Sequence, residues 1–429
     1  MRRLVILLLV VAVFLSAACG GESVPSEGTP TASDVSSATS PGTTATTSTT
    51  TTTTTTPTTV SATTTTVVAQ SPGVWARVPH DETVFGGDSR QQMLSVAVGG
   101  PGLVAVGYDD MGGNDLDAAV WTSPDGVTWS RVPHDETVFG GDRKQIMFSV
   151  TAGGPGLVAV GYDSWHAAVW TSPDGFTWAR VPHDETVFGG DSIQTMESVV
   201  AGGPGLVAVG GEMFSGSWQD AAVWTSPDGL TWTQVPHDET VFGGDSNQGM
   251  LSVTAGGPGL VAVGYAGPDS APYAVVWTSP DGLTWTRVPH DGPVCGDYHL
   301  QLYSVVAAGP GLVAVGSDSY GIWPSTAAVL TSPDGLTWTR VPHNETVFGD
   351  DDSSQAMRSV AAGGPGVVAV GYGDRGAAVW ISPDGLTWTQ VPHDEAVFGG
   401  HLHMHSVVAG GPGLVAVGGA SVWYWTPDE

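Results

Sequence analysis

The sequence predicts an all-β fold, a seven-bladed β-propeller of four-stranded blades, closed by an N-terminal strand that completes the C-terminal blade. The first observation is a repeat. Val-Pro-His recurs with its proline at Pro79, Pro133, Pro182, Pro236, Pro289, Pro342 and Pro392, at spacings of 49–54 residues, and a β-patterned period near 50 points to radial blades. Second, each period divides into four short apolar runs bounded by Gly, Pro and Asp turns, with nothing periodic enough for a helix between them. Third, the two ends are complementary fragments. The chain opens its repeats with a fourth-strand phrase, Val74 to Pro79, and closes them on a third-strand phrase, Val422 to Asp428. Joining them pairs two edges that a linear array would leave open.

Ahead of the repeats, Met1-Arg2-Arg3 leads into an apolar run from Leu4 to Leu15 and then Ser16-Ala17-Ala18-Cys19. A basic start, a short apolar core and small residues describe a secretory leader over residues 1–18; the run falls short of the roughly 20 residues of a membrane span. Residues 19–73 form a Thr/Ser/Pro-rich stalk, almost pure Thr, Ser, Ala and Pro between Thr43 and Thr66. Such a segment has no apolar surface to offset its ordering entropy, so it is expected to stay extended and to reach about 150 Å if PPII-like. The propeller is expected over residues 74–429.

The second full repeat shows the elements in order. Ser149 to Ala152 alternates and ends at Gly153-Gly154-Pro155-Gly156; Leu157 to Tyr162 is an apolar strand before a loop of variable length; Ala167 to Thr171 is the third strand; Ser172-Pro173-Asp174-Gly175 turns the chain; and Thr177 to Val181 is the fourth. Trp129, Trp178, Trp232, Trp285, Trp338 and Trp388 open the fourth strands and are expected to fill the wedges between blades. The Asp of each Ser-Pro-Asp-Gly turn is expected to accept backbone N–H bonds.

The formal net charge is −30 and Lys144 is the single lysine. This balance repels phosphate backbones and excludes nucleic-acid binding. The two cysteines, Cys19 and Cys295, leave no intramolecular disulfide if Cys19 is lipidated; Cys295 stands where other repeats carry Phe85, Phe139 and Phe188, and reads as a buried thiol.

Two resemblances follow from these residues. Leu15-Ser16-Ala17-Ala18-Cys19-Gly20 resembles a bacterial lipobox, with Ser16 in place of the usual bulkier residue. It implies lipid attachment at Cys19 and a place on the extracellular face of the cell membrane, with plain secretion as the alternative. Ser-Pro-Asp-Gly-x-Thr-Trp, as in Ser226 to Trp232, resembles the Asp-box (BNR repeat) of bacterial sialidases, one residue shorter than usual, and recurs in six blades. The blade is also similar to a kelch repeat, with a strand ending such as Gly210-Gly211 and a later Trp. The sialidase resemblance implies a fold rather than a reaction. That chemistry uses three arginines on a carboxylate, a Tyr nucleophile with a Glu partner, and an acid/base residue. Arg77, Arg131, Arg180, Arg287 and Arg340 share one repeat position and read as scaffold, which leaves Arg90, Arg143, Arg358 and Arg375 as unique arginines.

Function is expected where the repeats disagree. The position before each first-strand Ser reads Leu94, Phe148, Glu197, Leu251, Tyr303, Arg358 and His405, a variable ring expected to rim the central funnel. The loops between second and third strands vary too, and carry Trp165, Trp218 and Trp323 outside the repeat pattern. Aromatic faces beside carboxylates suit sugars. The expected ligand-binding residues are therefore Trp165, Trp218, Trp323, Glu197, Tyr303, Arg358 and His405. No catalytic set, cofactor or metal site is assigned. The recurrent His-Asp-Glu triplets are consecutive loop residues that cannot all point at one ion, and are expected to tie loops to neighbouring blades. His401, His403 and His405 alternate, as strand neighbours on one face would. The expected function is a monomeric cell-surface binding module for a glycan or protein partner. A sialidase-like hydrolase or lyase built on Glu197, Tyr303 and Arg358, or a structural spacer, are the alternatives.

Overall fold

The computed structural model describes residues 73–428, apart from 87–89, 113–114, 142–143, 215–217, 269–270, 290–298, 320–324, 351 and 401. The leader, Cys19, the stalk, Cys295, Trp323 and His401 lie outside the described residues.

The repeats form seven four-stranded antiparallel sheets, and the protein is a β-propeller. Blade 2 is typical, with strands Gln145–Gly153, Gly156–Asp163, His166–Ser172 and Ala179–Arg180. In blade 7 the fourth strand is Val74–Arg77, paired with Ser421–Thr426 in the register Val74↔Thr426 to Arg77↔Trp423. The first and last repeat fragments thus share one sheet, as their complementary phrases predict.

The innermost strands differ from their sequence reading in an instructive way. Where the residue pattern suggests only Ser149 to Ala152, the strand begins at Gln145. The register shifts between Met147 and Ser149, and the same irregularity recurs in blades 1 to 6. This bulge puts two successive half-buried residues, Phe148 and Ser149, between buried Met147 and buried Val150. A bulge breaks the period-2 alternation by which a strand is recognised.

The bulge also organises the ring. Ser95 Oγ accepts the Val150 N–H at 3.2 Å, Ser149 the Val199 N–H, Ser198 the Val253 N–H, Ser252 the Val305 N–H, Ser304 the Val360 N–H and Ser359 the Val407 N–H. Ser406 accepts from Val96 and closes the circle. Each of these bonds satisfies a backbone donor beside the bulge with the hydroxyl of the preceding blade.

Each core cluster straddles two blades: Val104, Val106 and Val120 of blade 1 pack with Met147, Val150, Leu157 and Trp170 of blade 2. The fourth-strand tryptophans are buried there, but the most enclosed side chains are third-strand ones: Trp121, Trp170, Trp224, Trp277, Trp380 and Trp423 are fully buried. Trp121 Nε1 donates to the Val84 carbonyl at 2.9 Å and Trp170 Nε1 to that of Val138 at 2.8 Å. These indoles tie down the segments between blades. The His134 ring meets Glu136 at 3.0 Å and packs near Phe139 within its own loop, and it reaches Asp117 of its own blade at 3.7 Å rather than a neighbouring blade.

Those connecting segments hold one-turn helices the sequence reading did not anticipate, at Glu82–Phe85, Glu185–Phe188, Glu345–Phe348 and Glu395–Phe398. Asp81 and Asp184 cap two of them by accepting the N–H of Thr83 and Thr186. A single turn is too short to show a helical period.

On one face the Asp of each turn acts as expected. Asp174 Oδ1 accepts from Phe176 and Thr177 at 2.8 and 2.7 Å, which holds its carboxyl below the ordinary range. Gly175 follows at φ 84°, and its turn seats on blade 1: an added Cβ would lie 2.8 Å from Pro101 Cδ. The opposite face carries the second-to-third-strand turns and the segments between blades.

Candidate functional site

The bulge gives the variable ring its position. The first strands are the innermost of each sheet and pack against one another; Leu94, Phe148, Glu197, Leu251, Tyr303 and Arg358 stand at the bulged position of blades 1 to 6 and His405 just ahead of the first strand of blade 7, all as half-buried side chains. Their neighbours on either side, such as Met93 and Val96, are buried between blades. The ring therefore lines the axial channel, apolar at blades 1, 2 and 4 and polar at blade 3 and at blades 5 to 7.

Three of the predicted residues meet there. The Arg358 guanidinium lies over the Tyr303 ring at 4.3 Å and near that of Tyr372 at 5.5 Å, spacings at which a cation is attracted to a ring face. Tyr372 stacks in turn on His403 at 4.5 Å and 25°. Tyr303 is fixed by its hydroxyl, which lies 3.0 Å from Gln301 Oε1 and from Ser317 Oγ. His405 stands beside Arg358; burial first, then that cation, pushes its imidazole down to about 3, so it is neutral at ordinary pH. Among the described residues no carboxylate pairs with Arg358. The repeat arginines contrast with it. Arg131 and Arg340 pair with Asp109 and Asp318, and Arg77 bonds Ser421 Oγ at 2.8 Å, so they belong to the scaffold.

Glu197 stands apart. It belongs to blade 3, and no hydrogen bond or ion pair among the described residues links it to Tyr303 or Arg358. Burial pushes its carboxyl up to about 7, with the Thr195 hydroxyl pulling the other way. The Glu, Tyr and Arg of a sialidase-like reaction are therefore not assembled as one hydrogen-bonded set.

The variable loops are shorter than the sequence suggests. Blade 1 continues its hairpin through Asp109↔Asp117 and Asp110↔Leu116, with Asp109 buried and paired to Arg131. Trp165 sits in the two-residue turn between Asp163 and His166 and is 42% exposed; Trp218 is 51% exposed. Exposed Phe214 ends the second strand of the same blade as Trp218. The sequence reading placed it within the variable loop from Gly211 to Asp220 without singling it out.

The structure also gathers donors that sequence reasoning kept apart. His166, His183 and Glu185 place one ligand atom each within 4.8 Å of one another, as do Asp117, His134 and Glu136 of blade 1 and Asp220, His237 and Glu239 of blade 3. The third member comes from the opening of the third strand, which the fold brings beside the His-x-Glu segment. No local spacing could signal it. His403 stacks on Tyr372, and His405 stands beside Arg358 with His403 near enough to act on it electrostatically.

Residues 116–292 match the profile of the DUF6242 beta propeller domain. No curated protein matches the chain in sequence. Among solved structures, the periplasmic gluconolactonase of Pseudomonas aeruginosa is 11% identical, with 71% of this chain and 86% of that one covered at a TM-score of 0.44. An ulvan lyase is 10% identical over 84% and 96%, TM-score 0.42. The fucose-specific lectin of Aleuria aurantia is 12% identical over 72% and 96%, TM-score 0.40. At these identities the likeness concerns the fold alone.

Proposed function

We propose that the protein is a binding module of the bacterial cell exterior, held by a lipid on Cys19 and the Thr-rich stalk, which takes a carboxylate-bearing glycan at the channel mouth. One observation carries the reading. In a chain of net charge −30, Arg358 keeps its guanidinium in the channel over Tyr303 with no carboxylate partner among the described residues. A guanidinium presents donors in a fork that matches a carboxylate, and tyrosine faces beside it suit the C–H face of a sugar. The exposed indoles of Trp165 and Trp218 lie on the same face and extend the surface beyond the channel.

The test is glycan-array binding by the purified chain, with uronate-containing and neutral oligosaccharides side by side. Selective binding of acidic sugars that R358Q abolishes supports the reading. Binding indifferent to R358Q, or none to any acidic sugar, overturns it. The alternative hydrolase or lyase has the raised Glu197 carboxyl in its favour, a group able to hold a proton near neutrality. It predicts cleavage of a bound acidic oligosaccharide that E197Q eliminates. Lipidation is checked by the mass of the N-terminal peptide, which C19A should return to the unmodified value.

A further inference from the structure

We propose that the outer edge of blade 2 is a metal site, in which His166, His183 and Glu185 hold a Zn2+-class divalent cation. The site is separate from the axial channel and independent of any glycan binding there.

His183 and Glu185 belong to the repeated His-Asp-Glu segment and by themselves distinguish nothing. The third donor does. The position four residues before the third-strand Trp or Leu is Asp117, His166, Asp220, Tyr273, Thr326 and Gly376 in blades 1 to 6, so blade 2 alone among them sets an imidazole there. That exchange turns a donor set of one nitrogen and two carboxylates into two nitrogens and one carboxylate. Two imidazoles and a carboxylate, with a fourth position open, are a donor set zinc takes in catalytic sites, while oxygen-rich sets suit harder cations.

The local geometry favours a cation over a simple pair of rings. The His166 and His183 rings are 4.8 Å apart and tilted by 54°, so they are not stacked face to face. His166 Nδ1 is buried without a hydrogen-bond partner, a cost a native site rarely bears without a reason. It faces space kept open by a glycine, since a Cβ on Gly189 would lie 2.7 Å from that nitrogen and 2.8 Å from Glu185 Oε2. The carboxylate is held in place by the Gly190 N–H at 3.0 Å, a bond that also lowers its pKa. Arg180, on the same pocket wall, is already paired with Asp163 and leaves little net positive charge to oppose a cation. The pocket of about 420 Å³ beside these residues has room for a water or a ligand atom in the fourth position. Tetrahedral coordination at about 2.1 Å puts donors roughly 3.4 Å apart, so donors spread over 4.8 Å must close in. His166 starts a strand beside a turn, His183 lies in the segment leaving the fourth strand and Glu185 opens a one-turn helix, so small side-chain rotations at the solvent edge allow it.

The experiment is a calorimetric titration of the full chain, without a histidine tag and stripped with EDTA, with Zn2+. A parallel Co2+ titration is read by visible absorption. One equivalent should bind more tightly than any further zinc, and Co2+ at that stoichiometry should give the intense bands of a tetrahedral site. H166A and H183A should each weaken that equivalent at least tenfold. H237A, which removes the matching histidine of blade 3, should leave it intact. G189A, which fills the open space and removes no ligand, should weaken it as well, with near-UV circular dichroism confirming that each variant is folded. Absence of a tight equivalent in the unmodified chain, or undiminished affinity in folded H166A, overturns the proposal.

Discussion

The backbone N–H of Val96 donates to Ser406 Oγ at 3.2 Å, across 310 residues of chain. The same bond links every other pair of adjacent blades, so the seam between blades 7 and 1 is built like the six others. Replacing Ser406 with alanine leaves a buried donor without its acceptor, which costs about 1–3 kcal/mol. Urea denaturation should show a loss in that range for S406A, matched by S149A at an internal seam. A seam loss far larger than the internal one would show that closure is the weak point of the ring.

Blade 7 depends on the strand Val74–Arg77, whose Trp75 is buried in a cluster with Trp423 and Trp425. Removing an aromatic of that size from a core costs about 3–5 kcal/mol. W75A should therefore lower the urea midpoint clearly, whereas V74A, at a 59% exposed position, should leave it nearly unchanged.

Gly175 combines a φ of 84° with a close approach to Pro101 of the preceding blade. A side chain in this left-handed region costs about 1–2 kcal/mol, and the contact adds to it. G175A is expected to lower thermal stability by at least that amount, while F176A, at the exposed next position, should not. Equal stability of G175A and the parent chain would refute this account of the turn.

Glu197 and His405 give the protein opposite pH dependences. The Glu197 carboxyl is raised from 4.5 to about 7, so its contribution is fully present below pH 4.5 and is lost as pH rises through 7. The His405 imidazole is lowered from 6.5 to about 3, so its contribution is present above pH 6.5 and is lost as pH falls toward 3. Unfolding free energies measured between pH 4.5 and 8 separate the two. E197Q should gain on the parent chain as pH rises, and H405Q should gain on it as pH falls. Curves parallel to the parent's would refute both assignments.

Much of the architecture is legible without coordinates because it is written in local residue types repeated at a constant period. Seven Val-Pro-His phrases count the blades, the Ser-Pro-Asp-Gly turns carry their own hydrogen bonds, and the fragments at Val74 and Val422 specify closure. The sites are not legible in this way. Disagreement among the repeats picks out Phe148 and Arg358 as part of a variable ring, but the bulge breaks the alternation by which a strand shows the direction of its side chains. The contact of Arg358 with Tyr303 also needs two blades to be set side by side around an axis. His166 meets His183 and Glu185 only because the third strand of a blade runs beside the segment leaving its fourth. Local chemistry and repetition were enough to determine the blades and their closure, whereas the side-by-side setting of neighbouring blades and the bulge decided which variable side chains came together, since neither long-range distance nor side-chain direction at a bulge is encoded in spacing along the chain.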